Sequence, residues 1–276
     1  NERVQGVAPG HKEAGPIIRH PDVQRMLADM KSITEASRAL TYTACAEVDF
    51  TAGDLPKDDL DQHKRRLGLL TPIVKGWCTE TAQEVASLSL QCHGGMGYIE
   101  ETGIAQIYRD ARILPIYEGT TAIQANDLLH RKILRDEGIN VLNLINDILE
   151  EAKITNKINS DLKPSSKRIA DAAYLTIDTI KFVVDNKKSL RNLSAVSVPI
   201  LMMMGTLCGA WMALRSAKSA SELGNNANWS QNFLNAKLSY VNIFTSHSLP
   251  NIQKYSQIIR TGGEAVESLS PEMLWE

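Results

Sequence analysis

At 276 residues, with 43% hydrophobic and 22% charged residues, the chain is long enough to bury a substantial core as one large or two ordinary domains. Thirty basic against 32 acidic residues give a net charge of -2, without the basic excess that marks nucleic-acid binders. Aromatic residues are only 5% of the chain, so packing falls to Leu, Ile, Ala and Met.

The chain opens Asn1-Glu-Arg-Val, without Met and in a polar stretch, and is expected to be a piece of a longer protein. Residues 22–50 carry Val23, Met26, Leu27, Met30, Ile33, Ala36, Leu40, Ala44 and Val48 at the spacing of an amphipathic helix. Pro21 suits its first turn, and Asp22 and Asp29 favour its early part. A second long helix is predicted over 58–91, with a kink or break near Pro72. A glycine turn follows, then a short helix over 103–112 that Pro115 stops. Thr121-Ala-Ile-Gln124 matches a capping box and predicts a helix from there to about 135.

Gly138 separates that helix from another over 141–158. Ser160-Asp-Leu-Lys-Pro-Ser-Ser166 is the best linker candidate, and helices follow over 167–186, 195–223, 230–245 and 249–269. Gly224-Asn-Asn-Ala-Asn228 reads as a turn. No alternating stretch is long enough for a strand. The fold class is therefore all-α: an up-and-down helical bundle followed by a second, bundle-like helical extension. The uncharged stretch over 192–214 is long enough for a membrane span, which needs ~20 apolar residues. Asn192, Ser194, Ser197, Pro199 and Thr206 dilute it, and an all-apolar helix is also what the centre of a large helical protein requires.

Cys45, Cys78, Cys92 and Cys208 form no CxxC pair and have no His cluster at zinc spacing, so no metal site is expected. They read as small buried hydrophobes of a reducing compartment. Separately, a bacterial cytoplasm is the expected location ahead of a mitochondrial matrix.

Two stretches carry candidate chemistry. Gln91-Cys-His-Gly-Gly-Met-Gly-Tyr98 puts three glycines into a turn, where backbone can approach a ligand closely. Ile116-Tyr-Glu-Gly-Thr-Thr-Ala-Ile-Gln124 puts one carboxylate, Glu118, just ahead of a helix start. Alone, each is weak. Glycines after a helix more often serve as a C-cap, and no strand precedes them to make a dinucleotide fingerprint. A lone Glu is more often a solvated charge at a helix N-terminus. His93 beside glycines is more often a hydrogen-bonding spacer than a base.

Their order changes the reading. Arg3 in Glu-Arg-Val-Gln, Leu27-Ala-Asp-Met30, the glycine stretch, Tyr108-Arg-Asp-Ala-Arg112 and Ile116-Tyr-Glu-Gly-Thr120 follow one another over residues 1–135. This resembles the C-terminal helical part of the acyl-CoA dehydrogenase family. Residues 136–276 resemble the helical extension of a subfamily of larger members, which includes enzymes that act on 3-methylthiopropanoyl-CoA.

The resemblance implies an FAD-dependent oxidation of an acyl-CoA to its trans-2-enoyl form. Glu118 would take the α-proton, and the β-hydrogen would leave as hydride to the flavin N5. The α-proton of a thioester is weakly acidic, so such a base must gain strength by desolvation. Arg3 matches the arginine that meets the FAD pyrophosphate. Gln91 and the segment Cys92, His93, Gly94 and Gly95 match the adenosine side, and Thr120 and Thr121 match flavin contacts. Tyr117 and Gly119 would border the acyl and thioester end of the substrate. Arg109 and Arg112 with Asp110 read as a structural ion-pair network. Gln5-Gly-Val-Ala8 departs from the Phe-Gly-Lys run of many relatives.

The resemblance further implies an acyl-CoA substrate, an electron-transfer flavoprotein as acceptor, and a homodimer or dimer of dimers. Neither nucleic acid nor a membrane span is expected. The family's N-terminal helical and middle β-domains have no counterpart here, so the isolated chain is expected to be inactive and to bind FAD weakly. The alternative is a non-catalytic interaction or assembly module, including a DNA-protective relative of the family.

Overall fold

The computed structural model describes residues 3–224 and 228–275, and for Ile158 the backbone alone. Eleven α-helices stand among the described residues, with no β-strand. Their ranges are α1 Pro21–Ala52, α2 Lys57–His93, α3 Gly95–Tyr98, α4 Ile104–Ile113, α5 Thr121–Asn126, α6 Ile139–Ile158, α7 Lys163–Asp185, α8 Leu190–Ala195, α9 Ser197–Leu223, α10 Gln231–Ile243 and α11 Asn251–Glu267. The all-α expectation holds.

Helix α1 buries Met26, Ile33, Ala36, Leu40 and Ala44, one face of the expected stripe, while Leu27 and Val48 lie on its outer side. Asp29, read as a helix-start charge, is instead buried, with Arg25 at 3.0 Å and His247 Nδ1 at 2.6 Å. Helix α2 runs unbroken through Pro72, so of the expected kink or break there is no break. The proline lacks one backbone donor, but Leu69, Leu70, Ile73 and Trp77 around it are all buried, and that packing holds the helix together.

Three local expectations are corrected. The cap of α5 is Thr120, whose hydroxyl accepts from the Ile123 amide at 3.3 Å, so the register lies one residue earlier than the expected box at Thr121. The helix predicted to reach 135 does run to Asp136, but it is α-helical only to Asn126, then a wider π-helical stretch over Asp127–Ile133 and a 3₁₀ turn over Leu134–Asp136. The extra residue per turn lets Leu128 and Ile133, five apart, both be fully buried. The linker expected at 160–166 is a tight turn: the Asn159 side chain accepts from the amides of Asp161 and Leu162, and α7 begins at Lys163 with Pro164 in its first turn. The turn expected at 224–228 is described only at Gly224 and Asn228; Gly224 has φ 53°.

Helix α9 is the centre of the molecule. It is long and apolar enough to cross a membrane, and 83% of its most apolar window is buried inside the protein. It packs against α1, α2, α5, α7, α10 and α11, and its part over 200–214 is accordingly apolar nearly all round, with the charges confined to its last turns. One continuous core takes in Leu40, Trp77, Leu129, Ile145, Ile169, Leu207 and Phe244, residues from both sides of position 135. The four cysteines are free. Cys92 and Cys208 are buried as expected, but Cys45 is exposed on the outer side of α1. Burial pushes the Cys78 thiol up to about 11 and the Cys208 thiol up to about 12, which keeps both protonated and unreactive near neutral pH.

Ion pairs add to this packing. Glu35 of α1 meets Lys237 of α10 and lies 3.0 Å from Lys31 and from Arg38. Burial alone would raise its carboxyl, but Lys237 and Lys31 outweigh that and hold it at about 2, below the ordinary 4.5. A depressed folded-state value contributes stability above the unfolded value and loses it as pH falls through the folded one. Glu35→Gln should therefore lower the urea midpoint near neutral pH and leave it unchanged near pH 2, with the two proteins converging between 4.5 and about 2.

Candidate active site

Helix α4 ends at Ile113, and the chain reverses before α5. The Ile116 and Tyr117 amides both donate to the Ile113 carbonyl, at 2.9 and 3.1 Å. The Thr121 amide then donates to Pro115 at 3.1 Å and closes a compact turn. Glu118 stands near its apex with φ 51°, in the left-handed region that non-glycine residues rarely occupy. Gly119 follows at φ 96°, a backbone conformation that calls for glycine; a Cβ there would also displace the end of the flexible Gln124 side chain, 2.6 Å away. The Glu118 carboxylate is exposed, as is Tyr117.

Two residues of α2 hold this turn, and no motif pointed to either. Lys75 Nζ donates to the Leu114 carbonyl at 2.5 Å and lies 5.4 Å from the centroid of the Tyr117 ring. The Thr121 hydroxyl donates to Glu80 Oε1 at 2.5 Å. Thr121 is thus buried with its hydroxyl engaged inward, whereas Thr120 is exposed at the cap.

The second group lies at the far end of α2. Gly94 has φ 60° and ψ -145°, a conformation for glycine alone, and ends the helix. Arg3 reaches this turn: its Nη1 is 3.0 Å from where a Cβ on Gly94 would stand. The missing side chain therefore first admits the Arg3 guanidinium. Gln91, His93, Gly94 and Gly95 are exposed, and a Cβ on Gly95 would meet open space. His93 Nδ1 lies 2.8 Å from the Ser89 carbonyl, and Cys92 turns inward to Met26. An exposed guanidinium over a backbone turn with open space beside it fits the phosphate-bearing part of a dinucleotide.

Arg109, expected in a network with Asp110, instead pairs bidentately with Glu100 at 2.7 and 2.9 Å and draws that carboxyl below its ordinary range. Among the described residues no side-chain hydrogen bond or ion pair joins the Arg3–Gly94 group to the Glu118 turn; α4 runs between them. Ile113, Ile116, Tyr117 and Ile123 around the turn, and Met96 and Tyr98 beside the glycines, are all exposed apolar side chains.

A family model described as "Acyl-CoA dehydrogenase, C-terminal domain" matches residues 5–133, and one described as "Acetyl-CoA dehydrogenase C-terminal like" matches 141–270. The chain belongs to the acyl-CoA dehydrogenase family. It is 42% identical over 254 residues to the 3-methylmercaptopropionyl-CoA dehydrogenase of Ruegeria pomeroyi, covering 91% of this chain and 43% of that one. It is 30% identical over 255 residues to the broad-specificity linear acyl-CoA dehydrogenase FadE5 of Mycobacterium tuberculosis, covering 89% of this chain and 42% of that one. The chain thus spans about two fifths of the length of these relatives. The fold is shared with an acyl-CoA dehydrogenase from Bacillus anthracis solved with FAD, at 18% identity and TM-score 0.65, covering 94% of this chain and 44% of that one.

Proposed function

We propose that this chain is the base-bearing C-terminal part of an FAD-dependent acyl-CoA dehydrogenase, with residues 1–135 as the site-bearing segment and 136–276 as a helical extension. The observation that carries this reading is Glu118 at the apex of a closed turn, exposed and held in a left-handed conformation.

In this reading Glu118 takes a proton from the substrate α-carbon. The electron pair of that C–H bond forms the new double bond as the β-carbon loses hydride. When bound, FAD supplies the acceptor for that hydride. Tyr117 and Gly119 border the thioester end. The backbone amide at Glu118 would donate to the thioester oxygen, where charge builds as the proton leaves. Arg3 and the turn at Gly94 and Gly95 hold the phosphates and the adenosine side, with Gln91 and the Cys92–His93 backbone alongside. Thr120, exposed at the cap of α5, would contact the flavin; the Thr121 hydroxyl is already committed to Glu80.

The exposure of Glu118 sets a condition. A carboxylate in water is too weak a base for a thioester α-proton, so the rest of the parent protein must cover it. The exposed apolar residues around the turn suit such a cover. We place the parent enzyme in a bacterial cytoplasm as a homo-oligomer that passes electrons to an electron-transfer flavoprotein, with 3-methylthiopropanoyl-CoA as the first substrate to try.

The test is anaerobic flavin reduction in the complete protein by a panel of acyl-CoAs, from short straight chains to 3-methylthiopropanoyl-CoA. Reduction by at least one is expected; a complete protein that carries FAD but is reduced by none would overturn the reading. The isolated chain should pass through gel filtration without retaining FAD.

A further inference from the structure

Glu118 is held in an unfavourable backbone conformation, so its position depends on whatever braces the turn around it. The braces both come from α2. At the entrance, Lys75 Nζ donates to the Leu114 carbonyl at 2.5 Å, at the C-terminal end of α4. A cation there meets the negative end of that helix. The same ammonium lies over the Tyr117 ring, the residue immediately before Glu118. At the exit, the Thr121 hydroxyl donates to Glu80 at 2.5 Å. No hydrogen bond from either residue reaches the Glu118 carboxylate. Both stand on a 37-residue helix with Trp77 buried between them, so the braces are fixed to the core.

We infer that Lys75 and Glu80 are positioning residues that clamp the two ends of the 114–121 turn and so aim the Glu118 carboxylate. The inference rests on the reading of Glu118 as the base. Loss of either clamp releases the turn toward ordinary backbone angles and moves the carboxylate away from the reacting carbon, without removing a group that binds substrate or cofactor.

The test uses the complete FAD-loaded enzyme with Lys75→Met, Glu80→Ala and Thr121→Val, and Glu118→Gln as the reference. A misplacement on the order of 1 Å costs ~100-fold in rate, so flavin reduction at saturating acyl-CoA should fall about 10- to 100-fold in each clamp variant. FAD content and the half-saturating substrate concentration should stay as in the parent, and backbone amide exchange across 116–120 should quicken. Lys75→Arg, which keeps the charge, should recover much of the rate. Thr121→Val removes only one hydroxyl donor, so it reports on the clamp even if a larger change impairs folding.

Parent rates in the clamp variants, or a lowered melting temperature with an unchanged rate, would overturn the inference while Glu118→Gln remains inactive. If Glu118→Gln itself reduces flavin at the parent rate, the base assignment fails instead. The amide exchange at 116–120 then still reports whether Lys75 and Glu80 hold the turn.

Discussion

Glu118→Gln in the complete enzyme is expected to slow flavin reduction by acyl-CoA by ~10²–10⁴-fold, the usual contribution of a positioned general base. Gln has nearly the same shape, so the turn closed by the Thr121 amide and Pro115 should be unchanged. What it loses is the ability to accept the α-proton at neutral pH. FAD content should be that of the parent, because the Arg3–Gly94 group is built separately at the C-terminal end of α2. Substrate binding should also persist, since no uniform binding interaction is removed. Rapid mixing under anaerobic conditions, with FAD content measured on the same sample, checks both parts. A variant that reduces flavin as fast as the parent would place the base elsewhere.

The second large effect lies in the core. Trp77 of α2 is 2% exposed and packs between Gly205 and Gly209 of α9. A Cβ on Gly205 would stand 2.2 Å from Trp77 Cγ, and one on Gly209 would stand 2.6 Å from Cη2. The Phe244 ring closes the same space edge-on, with centroids 6.3 Å apart. Trp77→Ala should cost ~3–5 kcal/mol, since a large buried ring leaves a cavity that fixed helices only partly fill. Gly205→Ala should cost ~1–3 kcal/mol or more by overpacking, because the colliding atoms belong to the base of a buried side chain that has nowhere to move. Urea denaturation of the chain measures both. If Gly205→Ala were neutral, α9 would be free to shift away from α2, contrary to the packing described.

Much of the site was legible in the amino-acid sequence because its residues are neighbours along the chain. Tyr117, Glu118, Gly119 and Thr120 are consecutive, and the turn they form is decided by Pro115 before them and the helix start after them. The glycine stretch was legible for the same reason, and the structure adds that Gly94 admits Arg3 from far upstream. The clamp residues were not legible. Lys75 and Glu80 are five positions apart on a long amphipathic helix, where a charged residue is ordinarily solvated. Only the packing of α4 and α5 against α2 brings Leu114 and Thr121 to them.

The same division holds for the fold. Apolar spacing determined by itself that the chain is a succession of helices, because a period of 3.6 is set by backbone geometry that each segment carries alone. It also marked residues 192–214 as unusually apolar. Which side of a helix is buried, whether Pro72 breaks one, where the stretch after Asn126 widens and whether Asn159–Leu162 is a linker or a tight turn were decided by tertiary structure. Those outcomes depend on burial against partners distant in sequence, and that energy exceeds the local preferences of the residues involved. The exposure of Glu118 is of the same kind: sequence identifies the carboxylate, but only the surfaces packed around it decide whether it meets water.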